Sequence, residues 1–385
     1  MVFDEERRAT LKSMYFPLTL QQAAASPGGN AENSYFWYFQ RTTMEKYDVV
    51  IVGAGPAGLI CAEHLAAAGM KVVVLEKKAV VGDKVCAGGL TEKDLEILPV
   101  PDELIEVRMR ESLLVAPHVR MHTHHPKPVL FTVDRRALGA WQAGRVQQQG
   151  GEVRTAAAVT AIGDGHVVTA AGERLAYRWL VGADGATSLV RRHLGLPLEK
   201  RIFTLQYRIP WHDEPRFEIH MNGRYFHSWY GWIFPHRNEL VAGVGGDPRY
   251  VSTGWMKKRF HRWLERTGLD ITDARYESFP ISYDYRGWDF GNLFLAGEAA
   301  GLASGLTGEG IYQALVSGKA VADKILGRRD TFPEIDRILR YNTIQHKFMG
   351  VLIKAGPLRN MILDGILLYL KMNGKMKKRV SKALT

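Results

Sequence analysis

The chain has 385 residues, 46% of them hydrophobic and 24% charged, which is the make-up of a globular protein and not of a disordered or fibrous one. A formal net charge of +11 favours anionic partners such as acidic lipid or phosphorylated compounds; no nucleic-acid-binding motif accompanies it, so nucleic acid is not expected. Cys61 and Cys86 are too few for a disulfide framework and point to a reducing, cytoplasmic setting.

Residues 1–43 differ in character from the rest of the chain: Gln21 to Asn33 is rich in Ala, Gly, Ser and Asn, and the stretch reads as an extension of linker character. It carries acids early and lacks a clean apolar run, unlike a signal peptide. Order is expected from Tyr47. Asp48 to Val52 reads as a buried strand, Pro56 to Ala68 as a helix stopped by Gly69, and Lys71 to Leu75 as a second buried strand, together a βαβ unit. Residues 107–133 are strand-like, Arg135 to Gln149 helical, and short strands run on to Ala183. Residues 201–247 alternate apolar and polar with many aromatics, as in an antiparallel sheet. Trp255 to Thr267 reads as a helix, Phe294 to Ala296 as a short buried strand, and Gly308 to Leu326 and Pro333 to Met349 as helices. Phe348 to Leu370, interrupted by Pro357, runs into a tail with six Lys or Arg and no acid between Lys371 and Lys382. That suits either an interfacial helix on anionic lipid at the inner membrane face or a helix packed on the protein's own core. No apolar stretch approaches the ~20 residues of a spanning helix.

The first motif is Gly53-Ala54-Gly55-Pro56-Ala57-Gly58, with Glu76 closing the second strand. Gly53 permits the tight turn, Gly55 lets the backbone approach a pyrophosphate, and Gly58 lets the helix pack on the strand. The helix N-terminus attracts phosphate, and Glu76, 18 residues past Gly58, is placed to accept hydrogen bonds from ribose hydroxyls. An acid there disfavours a 2′-phosphate, so FAD or NAD fits better than NADP. No second fingerprint with a following acid exists; Gly243-Val244-Gly245-Gly246 sits in a strand and fails the test.

Two later segments, Gly182-Ala183-Asp184-Gly185 and Phe294-Leu295-Ala296-Gly297-Glu298 with Gly308-Glu309-Gly310-Ile311, complete a set whose order resembles the para-hydroxybenzoate hydroxylase-like superfamily of flavoproteins. Lys84-Val85-Cys86-Ala87-Gly88-Gly89, Leu205-Gln206-Tyr207-Arg208 and Tyr230-Gly231-Trp232-Ile233-Phe234-Pro235 are similar to segments of the geranylgeranyl reductase family. The resemblance covers about residues 45–330 and departs from the pattern at Ala87, where some members have glycine, and at Glu298, where the superfamily has Asp.

It implies an α/β fold: a Rossmann-type FAD-binding domain at 44–200 and 285–330, with inserted strands near 105–133, interleaved with an antiparallel-sheet substrate domain at 201–284. Residues 331–385 would be C-terminal helices with a basic tail. It implies FAD held by Gly53, Gly55, Ala57, Gly58, Glu76, Lys84, Cys86, Ala87, Gly89, Arg135, Ala158, Asp184, Glu298, Gly310 and Ile311. Tyr207, Tyr230, Trp232, Phe234 and Pro235 would line a prenyl site, with Cys86, Tyr230 and Trp232 nearest the chemistry and no metal required. Cys86 also reads as a small buried hydrophobe, and Trp232 and Phe234 as plain core. The implied activity is saturation of isoprenoid double bonds on a polyprenyl lipid or prenylated small molecule. Electrons would come from NAD(P)H, NADPH included, or from a ferredoxin-like donor. Two other readings stay open: a monooxygenase or halogenase of the same fold, and a membrane-associated electron-transfer flavoprotein, for which two cysteines could not ligate an iron–sulfur cluster alone.

Overall fold

The computed structural model describes residues 44–373; the N-terminal extension and the basic tail beyond Asn373 lie outside the described residues. The order begins β1 (Glu45–Val52), α1 (Pro56–Ala67), β2 (Val72–Leu75), β3 (Gly89–Leu90), α2 (Glu92–Ile97), β4 (Ile105–Met109), β5 (Glu111–Val115), β6 (Arg120–His124) and β7 (Leu130–Val133). Next come α3 (Arg135–Gln148), β8 (Glu152–Arg154), β9 (Val159–Gly163), β10 (His166–Thr169), β11 (Arg174–Gly182) and α4 (Leu189–His193). The second half runs β12 (Arg201–Pro210), β13 (Glu218–His220), α5 (Gly223–Phe226), β14 (Gly231–Pro235), β15 (Glu239–Gly246), α6 (Thr253–Thr267) and β16 (Arg275–Ser282). It closes with β17 (Asp289–Phe290), β18 (Leu293–Leu295), α7 (Ile311–Ile325), α8 (Pro333–Lys354) and α9 (Arg359–Met372).

Three sheets result. The first runs β17-β18-β11-β1-β2-β8, with β10 and β9 attached to β11. Its centre is parallel: Val49 faces Val72 and Trp179, and Leu180 faces Leu293. All four residues of β2 are buried, as expected of a parallel strand covered on both faces. The second sheet has the order β16-β12-β15-β14-β13-β5-β6, and the third is the small β3-β7-β4.

The strand-like stretch near 105–133 is therefore divided. β4 and β7 form the small sheet, whereas β5 and β6 extend the second sheet through a parallel pairing of β5 with β13, Leu114 opposite Ile219. α6 buries Met256, Phe260, Trp263 and Leu264 on one face of the second sheet and leaves the other face free for a site. Among the helix limits, α7 starts at Ile311 and not at Gly308, because Gly308 sits at φ +67° and cannot continue a helical turn. α8 runs on to Lys354, and Pro357 separates it from α9. No described helix is long and apolar enough to cross a membrane.

Candidate functional site

At the end of β1 the chain turns through Gly53, whose φ is +103° and where a Cβ would lie 2.4 Å from the Ala183 carbonyl oxygen. A Cβ on Gly58 would lie 2.1 Å from the Gly53 carbonyl oxygen, so glycine there lets α1 close onto the turn. Gly58 is accordingly a packing residue and does not line the cavity. Gly55 is the opposite case: no atom lies within 4 Å of its Cβ position, and this open space fronts the N-terminus of α1. Beside it, the Glu76 carboxylate accepts hydrogen bonds from the backbone N–H groups of Ala54 (2.9 Å) and Lys78 (3.0 Å).

These groups open into one cavity of about 930 Å³. Its walls include Gly53, Gly55, Ala57, Glu76, Lys84, Cys86, Ala87, Gly89, Arg135, Ala158, Asp184, Glu298, Gly310 and Ile311, so the structure gathers every residue expected at the cofactor except Gly58. The N-terminus of α7, with Gly310 as its cap, faces the same space. Lys84 donates to Glu298 Oε1 at 2.5 Å. Asp184 Oδ2 accepts from the Leu189 N–H at 2.6 Å, and desolvation raises its carboxyl above the usual range despite hydrogen bonds from Ser188, Leu189 and Val190.

Whether these residues suit FAD is decided by what they leave unpaired. Buried polar groups almost always find a partner. Here Arg135, 5% exposed, has Nε and Nη1 without one, and so have Glu298 Oε2 and Asp184 Oδ1. Donors and acceptors left over on the cavity wall, beside a helix N-terminus with open space before Gly55, fit a long, polar, phosphate-bearing cofactor. Among the described residues, no group of three or more His, Cys, Asp and Glu is placed to hold a metal ion.

The Cys86–Gly89 loop lies between this space and the second sheet, which braces it. The Cys86 carbonyl accepts from Gln206 Nε2 at 3.4 Å and Arg208 Nη2 at 3.5 Å. Gln206 is fixed in turn by Glu277 Oε2 at 2.7 Å. Both ring nitrogens of His236 face acceptors: Glu106 Oε2 lies 2.5 Å from Nδ1, and the Ala87 carbonyl 2.9 Å from Nε2. Gly88 has φ +71°, and a Cβ on it would lie 2.8 Å from His236 Cε1, so ring and loop pack in contact. Sequence reasoning misses Gln206, His236 and Glu106 as parts of the site. Strand parity points Gln206 inward, but nothing local signals a pair separated by 130 residues.

Away from the polar region, the cavity continues along the second sheet. Its wall there includes Leu114, Met121, Phe217, Ile219, Trp232 and Phe234, together with Ser112, Thr123 and His125, whose side chains hydrogen-bond one another, and it is closed by Leu352 and Leu363 of the C-terminal helices. No lysine, arginine or carboxylate lines this arm; all of those on the wall come from residues 76–94, 135, 184–192, 298 and 309. Tyr230, Trp232 and Phe234 share one face of the β14 segment and all line the cavity. Tyr230 donates to the Thr307 carbonyl, and burial pushes its phenol pKa up.

Two expected lining residues are elsewhere. Pro235 falls on the alternate face of β14 and is not on the wall. Tyr207 lies under α6, stacked on Phe260 with ring centroids 5.7 Å apart and 3.0 Å from His261 Nε2. Alternation along β12 turns Thr204 and Gln206 to the cavity and Leu205 and Tyr207 to the opposite core.

Residues 46–126 match a family model described as an FAD binding domain. Fold, cavity and this match define the class: an FAD-dependent oxidoreductase. Over 307 residues the chain is 30% identical to digeranylgeranylglycerophospholipid reductase 2 of Methanopyrus kandleri, covering 72% of this chain and 76% of that one. It is 28% identical over 298 residues to geranylgeranyl diphosphate reductase of Rhodobacter capsulatus, covering 72% and 74%. A geranylgeranyl bacteriochlorophyll reductase-like protein of Thermoplasma acidophilum shares the fold, with a TM-score of 0.71 at 21% identity over 86% of this chain and 92% of that one. The chain belongs to the geranylgeranyl reductase family of flavoenzymes, and FAD is its cofactor.

Proposed function

We propose that the protein saturates carbon–carbon double bonds of a polyprenyl lipid. The observation that carries this is the largely apolar, aromatic arm continuous with the FAD region: it suits hydrocarbon, carries no lysine, arginine or carboxylate, and its polar side chains Ser112, Thr123 and His125 are hydrogen-bonded to one another. The names of its relatives, reductases of geranylgeranyl compounds, support the same reading.

In this reading Gly55 and the α1 N-terminus take the pyrophosphate, Glu76 the adenosine ribose, and Glu298, held by Lys84, the ribityl chain. Arg135, Asp184, Ala158, Gly310 and Ile311 line the remainder of the cofactor. Reduced FAD supplies the hydride. The protein's own residues set the geometry. Trp232 and Phe234 flank the chain, and Tyr230, tied to the Thr307 carbonyl, fixes the turn between the two regions. The braced loop holds Cys86 at the boundary, where its thiol is the candidate proton carrier for the second carbon. The apolar wall excludes water, so the reducing equivalents meet substrate first. Electrons enter from NAD(P)H or a ferredoxin-like protein, and the C-terminal helices provide peripheral contact with a membrane.

The test is incubation of the purified protein with dithionite and a geranylgeranyl lipid, with and without oxygen. A product heavier by two hydrogens per double bond, formed without oxygen, supports the reading. An unchanged lipid mass contradicts it, and oxygen-dependent product would assign a monooxygenase or halogenase instead.

A further inference from the structure

α6 is two-faced. Its apolar face packs on the second sheet, away from the cavity, and its outer face carries Arg259, Arg262 and Arg266. With Arg224 and Tyr225 of α5 these surround a surface recess of about 280 Å³ whose one acid is Glu265. Among the described residues, none of the four arginines has an ion-pair partner within reach, although most other charged clusters here are bridged. Arg259 lies over the Trp255 ring and Arg266 over the Tyr225 ring, and four guanidinium groups against one carboxylate give the recess a positive potential that favours an anion.

The second observation lies on α8 and α9. Both helices bury one apolar stripe and expose another. Tyr341, Ile344, Phe348 and Val351 recur at helical spacing on α8, as do Leu358, Met361, Leu368 and Met372 along the start and length of α9, with exposures from 36% to 79%. Nine of the twelve large exposed hydrophobic residues among those described fall between Tyr341 and Met372. From Arg337 to Lys371 the one acid is Asp364, and the His118 ring holds it at 2.8 Å.

The two features adjoin. The Gly223 N–H donates to Asn360 Oδ1 at 2.8 Å, and Arg359 Nη2 lies 3.3 Å from His227 Nε2, so the start of α9 is anchored one residue from Arg224.

We propose that this joined face, cationic on α5–α6 and apolar on α8–α9, seats the protein on an anionic lipid bilayer. Arg224, Arg259, Arg262 and Arg266 meet lipid phosphates, and the exposed stripes enter the headgroup–acyl boundary. The choice of bilayer rests on the prenyl-lipid reading of the site, since Phe348, Leu352, Leu363 and Leu370 of the same two helices also wall the apolar arm. An acidic electron-donor protein suits the site less well: α6 stands on the face of the sheet opposite the cavity, and such a partner gives no use to the apolar stripes.

The test is sedimentation of the full-length, FAD-loaded protein with vesicles of phosphatidylglycerol mixed into phosphatidylcholine, and with phosphatidylcholine alone. Binding to the anionic vesicles that weakens with salt is expected, as is a loss of about 100-fold or more in R224S/R259S/R262S/R266S. A separate variant, M361S/L368S/M372S, should also release the vesicles; flavin content and melting temperature report that each variant is folded. Three results overturn the proposal: wild type left in the supernatant with anionic vesicles, either variant binding like wild type, or an arginine variant that keeps the vesicles but loses turnover with reduced ferredoxin. Binding is read without turnover, so a protein that sits on vesicles yet leaves prenyl lipid unchanged refutes the activity and not the surface.

Discussion

Lys84 and Glu298, separated by 214 residues, meet at 2.5 Å and tie the loop after β2 to the strand-to-helix turn before α7. Glu298 Oε1 reaches Lys84, while Oε2 stays unpaired on the cavity wall. Lys84→Met leaves a carboxylate whose side chain is only 13% exposed without its orienting partner. FAD affinity should fall by about tenfold, near 1.4 kcal/mol, and Glu298→Gln should do the same. The double variant should lose little beyond either single change, because both act through one contact. Fluorescence titration of the apoprotein with FAD measures this, and additive losses would show that the pair does not act as a unit.

The brace of the loop makes a second prediction. His236→Ala removes a ring that is 6% exposed, strips the Ala87 carbonyl of its donor and frees Glu106. Stability should drop by about 2–4 kcal/mol, and FAD should be held more loosely. His236→Gln, which keeps one donor, should recover part of both. The absorption band shape of the bound flavin distinguishes a displaced loop from a general loss of stability: a merely structural role would lower the melting temperature and leave the band unchanged.

Gly243 pairs with Trp232 across β14 and β15, and a Cβ on it would lie 2.2 Å from Trp232 Cζ2. Gly243→Ala should therefore push the indole into the arm, at a cost of about 1–3 kcal/mol of stability. With the arm narrowed, KM for a geranylgeranyl substrate should rise more than KM for a shorter prenyl chain. Equal effects on the two chain lengths would mean that Trp232 does not border the chain.

Asp94 gives a pH prediction. Desolvation pushes its carboxyl up from 3.8 to about 6, against hydrogen bonds from Thr91. A folded-state pKa above the unfolded one means the favourable contribution is complete below pH 3.8 and is lost as pH rises through about 6. Asp94→Asn keeps an oxygen for the Thr91 N–H and carries no charge. Relative to wild type it should gain stability across that window, by up to about 3 kcal/mol, with no further gain above it. Denaturant midpoints at pH 4, 6 and 8 check the sign; a variant that loses ground as pH rises contradicts it.

The sequence reveals most where the constraint is local. The glycine fingerprint is legible because backbone atoms close in space exclude any Cβ at Gly53 and Gly58, and Glu76 comes at a fixed reach beyond them. Trp232 and Phe234 are legible because alternation along one strand sends both to the same wall. Tyr207 misleads because its aromatic identity outweighs parity, which places its neighbour Gln206 in the cavity. The parallel pairing of β5 with β13 and the contact of His236 with Glu106 join residues about a hundred positions apart, and no short-range pattern encodes either.

Passage of electrons from bound FAD to a hydrocarbon chain is the central event, and a single-turnover experiment tests it most directly. The holoenzyme is reduced photochemically without oxygen and mixed with a geranylgeranyl lipid while the flavin absorbance is followed. Return of the oxidised spectrum, with one double bond saturated per flavin, is the predicted result. A flavin that stays reduced in the presence of the lipid, and reoxidises only when air is admitted, would contradict it.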